Sequence, residues 1–217
     1  MPTSPRRRPG RPRKMPVAEQ RAAVLAAAAR VFARVGLLAA TIEQIAQEGG
    51  VTRQAVYELF GDKNALFDAV VAEMGSQMLA AFGTPDAVDQ EIDDVTWLRR
   101  CNVPVHTYFA QHPEAVALFR EAERVRNPAF VAYRARLTEA YTEAVRARLA
   151  RLGRGPEGRL PDVLVALFLA MSSTLLMMPW EDRPPDSDTL LDLLSEFTIG
   201  GLERLLTQRP DVLDRLG

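Results

Sequence analysis

Catalytic and metal-binding side chains are scarce in this chain of 217 residues. Cysteine occurs once, as Cys101, and histidine twice, as His106 and His112. A single cysteine excludes an internal disulfide and fits a reducing cytoplasm. Neither histidine has Cys or carboxylate neighbours at metal-ligand spacing, so each reads as a core or pocket residue. On one helix Cys101 and His106 would point about 140° apart, too far for a nucleophile and its base. There is no Gly-rich phosphate cradle, no nucleophile elbow and no alternating strand pattern. The start of the chain is positive but has no apolar run of the secretory kind. No catalytic residue, metal ligand or cofactor is therefore expected. An apolar content of 47% and a charged content of 25% suit an ordinary soluble, cytoplasmic protein.

The net charge of −1 hides a division. Residues 1–63 carry 11 Lys and Arg against 5 Asp and Glu, whereas residues 64–217 carry 16 against 23. A basic amino-terminal part on an acidic remainder suggests that one end meets a polyanion. Residues 1–16, rich in Pro and Arg, read as an arm disordered in isolation. Within it, Arg8-Pro9-Gly10-Arg11-Pro12-Arg13-Lys14 is similar to an AT-hook core. Arg11 would then enter a narrow A·T-rich minor groove. The same residues also suit a solvated basic tail that touches phosphate without preference.

Residues 41–63, TIEQIAQEGGVTRQAVYELFGDK, have the pattern of two short helices joined by a tight turn. Ile42, Ile45 and Ala46 give the first an inner face, and Val51, Val56, Leu59 and Phe60 do the same for the second. Gly49 and Gly50 are expected in the turn, where positive φ is needed. Thr41 and Gln44 form a capping box, and Thr52 caps the second helix. The outward residues Thr52, Arg53, Gln54, Ala55 and Tyr57 suit phosphate oxygens and base edges. This is the helix-turn-helix layout, whose second helix enters the major groove.

These residues resemble the TetR family of bacterial transcriptional regulators. The likeness rests on Thr-x-x-x-Ile-Ala-x-x-x-Gly-Val-Thr, then Val-Tyr-x-x-Phe and Asp-Lys, within residues 19–67. It implies phosphate contacts for Thr41, Thr52, Tyr57 and Lys63, with Arg53, Gln54 and Ala55 facing bases. Glu58 departs from the family, which usually has an aromatic or His there. An acid at that position either accepts from a cytosine amine or pairs with a neighbouring Arg.

The rest of the chain keeps a helical period, which sets the fold class as all-α. A three-helix DNA-binding domain at 17–63 is followed by a larger helical effector-binding and dimerisation domain at 64–217. Residues 17–35 carry the stripe Val24, Leu25, Ala28, Val31, Phe32 and Val35, ended by Gly36. Asp62 caps a helix at about 63–82, with Leu66, Phe67, Val70, Val71, Met74, Met78 and Leu79 inward. A break at 83–89 precedes a helix at about 92–111, with a kink expected at Pro104. His112-Pro113 and Asn127-Pro128 each open a further helix, and 153–158 is a loop. Residues 163–180 hold no charge over 18 positions, the length of a membrane span. Ser172, Ser173 and Thr174 at its centre and Pro179 near its end favour a buried helix instead. That helix and the stripe Leu190, Leu191, Leu194, Phe197, Leu202, Leu205 and Leu206 are the expected homodimer contacts, around 160–180 and 188–207.

The aromatic residues Trp97, Tyr108, Phe109, Phe119, Phe130 and Tyr133, with Cys101, suit either the lining of a small-molecule pocket or ordinary helical core. The reading that unites these features is a DNA-binding transcriptional regulator that is not an enzyme. It would be a repressor on a palindromic double-stranded operator, released by a small apolar or aromatic effector, with no membrane partner. The alternative is an architectural A·T-rich minor-groove protein that uses the arm alone.

Overall fold

The computed structural model describes residues 15–81, 92–151, 158–178 and 185–215. Expectations for the arm at 1–14 with Arg11, the break at 83–89, most of the loop at 153–158, and Pro179 fall outside these residues. Helix α1 (Val17–Ala39) buries Val24, Leu25, Ala28, Val31 and Phe32. Gly36, at φ 76°, interrupts it, a backbone angle that a Cβ strains. Val35 departs from the expected stripe and is 38% exposed, because the break beside it turns the chain away and leaves that side open.

Helices α2 (Ile42–Gly49) and α3 (Arg53–Phe60) are only eight residues each, marginal lengths that need help from their ends and their packing. Both capping devices are present. Thr41 Oγ1 accepts from the Gln44 N–H at 3.2 Å while Gln44 Oε1 accepts from the Thr41 N–H at 2.9 Å. Thr52 Oγ1 accepts from the Ala55 N–H at 3.1 Å. Gly50, at φ 64°, ends α2. Gly49, expected in the turn, is instead in the last helical residue of α2, with space for ordinary contact against Ala27 of α1. Helix α4 (Lys63–Ala81) is capped by Asp62, whose Oδ1 accepts from the Ala65 N–H at 2.9 Å. Phe32 and Phe67 meet edge to face at 5.1 Å and tie α4 to α1.

The remaining helices are α5 (Asp94–Gln111), α6 (Pro113–Arg124), α7 (Pro128–Arg151), α8 (Leu160–Met177), α9 (Ser187–Gln208) and α10 (Pro210–Asp214). Helix α5 continues through Pro104 as one element. Among the described residues all regular structure is helical, as the all-α reading requires. Helix α6 packs on α1, α7 on α4, and α9 on α5. One apolar core therefore runs without interruption from Val24 to Ile199. A smaller cluster joins Leu149, Leu160 and Leu213, the last from α10, which closes the end of the bundle.

Helix α8 is not buried all round. It buries Leu160, Val165, Phe168, Leu169 and Ser172, yet Leu167 is 58% exposed. Phe197 also departs from the inward stripe: it is 68% exposed, near Leu193 at 59%, because α9 covers only the Leu191, Leu194 and Ile199 side. Helices α1 and α8 both have the length and hydropathy of a membrane span, and each packs one side into the core.

Candidate nucleic-acid interface

The turn from α2 to α3 follows from buried Ile45, Ala46 and Val56, as α2 packs on α1 and α3 packs on α2 and α4. Burying side chains of this size stabilises by roughly 1.5–3 kcal/mol each, so the inner face fixes which residues look outward. Thr52, Arg53, Gln54, Tyr57 and Glu58 are exposed on α3, and Thr41 is exposed at the start of α2. Ala55 is half-buried. Of the expected DNA contacts, five are thus brought onto one surface around α3, with Ala55 at its edge.

Besides the capping hydroxyls of Thr41 and Thr52, the side chains of Arg53, Gln54 and Glu58 are already engaged. Arg53 Nη1 donates to Glu43 Oε2 of α2 at 2.9 Å. Gln54 Nε2 donates to Glu58 Oε1 at 2.8 Å, so Glu58 pairs with an amide rather than with an Arg. The Arg53–Glu43 pair is solvent-exposed, and exposed ion pairs are worth about 0–1 kcal/mol. A phosphate or base edge can displace it at little cost. Glu43 was not singled out in the sequence, since its partner lies ten positions away on another helix.

Lys63 is engaged within the protein. Its Nζ donates to the carbonyls of Leu38 at 3.0 Å and Ala40 at 2.9 Å, so the ammonium holds the end of α1 against the start of α4. Nearby, Arg30 and Arg34 both donate to Glu48, at 2.7 and 2.8 Å, and hold its carboxyl below the usual range. Arg21 stands 5.4 Å over the Phe60 ring. None of these three clamps was foreseen, because each joins residues on different helices.

The expected pocket residues divide between two small cavities. Phe109, Phe119, Phe130 and Tyr133 line the first, of about 50 Å³, together with Arg134 and Ser172. Trp97 lines the second, of about 60 Å³, with Arg148, Leu164, Phe168 and Thr198. Tyr141 borders both, and its hydroxyl donates to Asn102 Oδ1 at 2.9 Å. Cys101 and Tyr108 line neither. Cys101 is buried in the core, and burial pushes its thiol up to about 12, which leaves no reactive thiolate. Tyr108 faces a cleft beside α1 and α4 with His112, whose ring is 4.5 Å away. His106 is buried as expected, but its Nε2 has no hydrogen-bond partner. No cluster with metal-ligand composition occurs among the described residues.

A capped helix-turn-helix with a polar outer face, set on a larger helical body with apolar cavities, defines a transcriptional regulator. The model of the family described as "Bacterial regulatory proteins, tetR family" matches residues 24–70. A curated relative, the HTH-type transcriptional activator FasR of Mycolicibacterium smegmatis, is 26% identical over 192 residues, 88% of this chain and 87% of that protein. The fatty acid degradation regulator FadR from Bacillus halodurans shares the fold, with a TM-score of 0.71 at 14% identity over 88% of this chain and 98% of that one. AibR, solved in complex with isovaleryl coenzyme A and operator DNA, gives 0.63 at 18% identity, covering 82% and 97%. Residues 24–70 thus match the DNA-binding part of the TetR family of bacterial regulatory proteins, and the chain as a whole shares the fold of solved TetR-family regulators.

Proposed function

We propose that the protein is a cytoplasmic homodimer that binds a palindromic operator and is released from it by a small apolar effector. The observation that carries the reading is the contact between Tyr133 and α4. Tyr133 lines the first cavity, while a Cβ placed on Gly75 of α4 would lie 3.1 Å from the Tyr133 Cβ. The Tyr133 hydroxyl also donates to the Met78 sulfur, again on α4. One side chain therefore touches both the cavity and the helix that continues from the DNA-binding part.

A cavity of about 50 Å³ is far below the ~300–1,000 Å³ of an ordinary ligand site, so an effector enters only by moving the walls. Pressure on Tyr133 then passes to α4, and Lys63 at the head of α4 grips the end of α1. The separation of the two recognition helices changes, which a rigid operator tolerates poorly. In this reading Arg53, Gln54 and Ala55 face bases, while Thr41, Thr52, Tyr57 and Lys63 meet phosphate. The protein represses where its operator overlaps a promoter. An acyl group is the effector chemistry favoured here, supported by the apolar cavity walls and by the isovaleryl coenzyme A bound to AibR.

The dimer forms through α8 and α9. Leu167, Leu193 and Phe197 are exposed there beside the small residues Ala166, Ala170, Gly200 and Gly201, which permit close approach. A second copy, rather than a membrane, covers this face.

The test is to select a bound duplex from random sequence and titrate it with acyl coenzyme A esters of increasing chain length, following DNA release and tryptophan fluorescence. Coupling of ~1–3 kcal/mol weakens operator binding about 5- to 150-fold. Gly75→Ala, whose methyl group would press on Tyr133 at 3.1 Å, should alter that factor more than it alters effector affinity. Ligand binding that leaves operator affinity unchanged would show a pocket without a switch.

A further inference from the structure

Successive residues of α3 turn by about 100°. Counted from Val56, which is 1% exposed, Gln54 and Glu58 lie within roughly 20° of the diametrically opposite line. These two side chains, and not Arg53 or Tyr57, stand at the outermost edge of the helix. They are four positions apart and joined by the 2.8 Å bond from Gln54 Nε2 to Glu58 Oε1. The bond uses one amide hydrogen. Gln54 Oε1 and Glu58 Oε2 remain without partners among the described residues. The foremost edge of α3 therefore presents two acceptors, one of them anionic, beside the second amide hydrogen of Gln54.

Base edges in the major groove answer such a surface unequally. Guanine offers N7 and O6 and thymine offers O4, all acceptors that a carboxylate repels. Adenine offers its N6 amine, but flanked by the N7 lone pair. Cytosine offers the N4 amine with only a C–H beside it. An unpaired Gln would instead favour adenine, giving and accepting one bond at N7 and N6. Glu58 holds one of the two amide hydrogens and so sets the direction of the Gln54 amide, which the two-bond adenine contact needs free to turn. We infer that Glu58, held in place by Gln54, specifies a cytosine at one position of each operator half-site. The inference rests on the proposed role of α3 as the reading helix. It gives a purpose to an anion that would otherwise only oppose the approach of phosphate.

The experiment is selection of bound duplexes from a random pool by the full-length protein, followed by competition with single-base variants of the selected site. Wild type, Glu58→Ala, Glu58→Gln and Arg53→Ala are compared. For the wild type, replacing the specified cytosine by any other base should weaken binding about 5- to 150-fold. In Glu58→Ala the same replacement should cost less than about twofold, with the other positions unchanged and affinity for unrelated duplex raised. Glu58→Gln should shift the preference at that one position towards adenine. A cytosine preference that survives in Glu58→Ala would overturn the inference. So would a uniform gain in affinity with an unaltered pattern, since Glu58 would then be only a repulsive charge. If Arg53→Ala also leaves every position unaltered, α3 does not read bases, and the underlying reading fails with it. If Arg53→Ala alters its own position while Glu58→Ala alters none, only the cytosine assignment falls.

Discussion

Helix α3 in the head and helix α8 in the body both leave one side uncovered, and the two sides differ in chemistry. On α3 the open side carries Thr52, Arg53, Gln54, Tyr57 and Glu58, whose polar atoms are capped, paired or hydrated. On α8 and the adjoining α9 it carries Ala166, Leu167, Ala170, Leu193 and Phe197. A polar side is stable in water and waits for a partner that offers better hydrogen bonds. An apolar side of this kind lowers its free energy only by burial, at roughly 25 cal/mol per Å². Under the proposed function the contrast makes the two associations differ in kind: DNA binding is an exchange of contacts, whereas subunit binding completes a fold.

The strongest way to break this contrast is to make the apolar side polar. Leu167→Glu with Phe197→Glu should leave each subunit folded, since both side chains point away from the core, but should convert the dimer to a monomer. With the two heads no longer linked, operator affinity should fall on the order of 10²–10⁴-fold, the usual worth of a second tethered site. Light scattering with operator titration reads both effects. A wild-type monomer at micromolar concentration would remove the apolar half of the comparison. Leu175 is unsuitable for this purpose, because it is half-buried against the core.

A smaller effect separates two cations of the helix-turn-helix part that are both expected to meet DNA. Arg53 holds only an exposed carboxylate, so Arg53→Ala should change the melting temperature little while relaxing base discrimination by ~1–3 kcal/mol. Lys63 holds two carbonyls of the α1 end, and Lys63→Met should cost roughly 1.5–3 kcal/mol of stability as those charge-assisted bonds are lost. Thermal unfolding in the absence of DNA distinguishes them. Equal losses for both variants would mean that reading and support are not divided in this way.

The head was legible because its devices are local. Thr41 with Gln44, Thr52 with Ala55, and Asp62 with Ala65 all act over three positions, and Gly50 and Gly61 have the positive φ that ends a short helix. Lys63 illustrates the limit, since its carbonyl partners are 23 and 25 positions earlier. The body was legible as helices but not as a site. Helix α5 buries Trp97, Leu98, Cys101, Asn102, Val105, His106 and Tyr108, which surround much of its circumference. Periodicity cannot then tell a cavity wall from a packed face. Asn102 and Val105 line the first cavity, Cys101 packs solidly, and Tyr108 turns towards α1 and α4. Tyr141, which borders both cavities, was not among the expected pocket residues.

His106 offers the smallest test, and it asks whether the body tolerates a polar group as the head does. Its ring is 6% exposed on α5, and Nε2 has no partner. Burial lowers its pKa from the ordinary imidazole value, and the charge of Asp188 opposes that shift only in part. The unfolded chain therefore binds a proton at a higher pH than the folded one. The contribution of His106 to stability is full above about pH 6.5, the unfolded value, and is lost as pH falls below it until the folded group also titrates. Between pH 7 and 5.5 the loss should reach up to about 1 kcal/mol, seen as a lower denaturant midpoint. His106→Leu should flatten this part of the profile, leaving the acid-side slope that Glu48 and the other carboxylates produce below about pH 4.5. Parallel profiles for wild type and His106→Leu from pH 7 to 5.5 would show that the ring stays neutral or charged alike in both states. The body would then accommodate an unpaired imidazole as readily as the solvent-facing head accommodates Glu58.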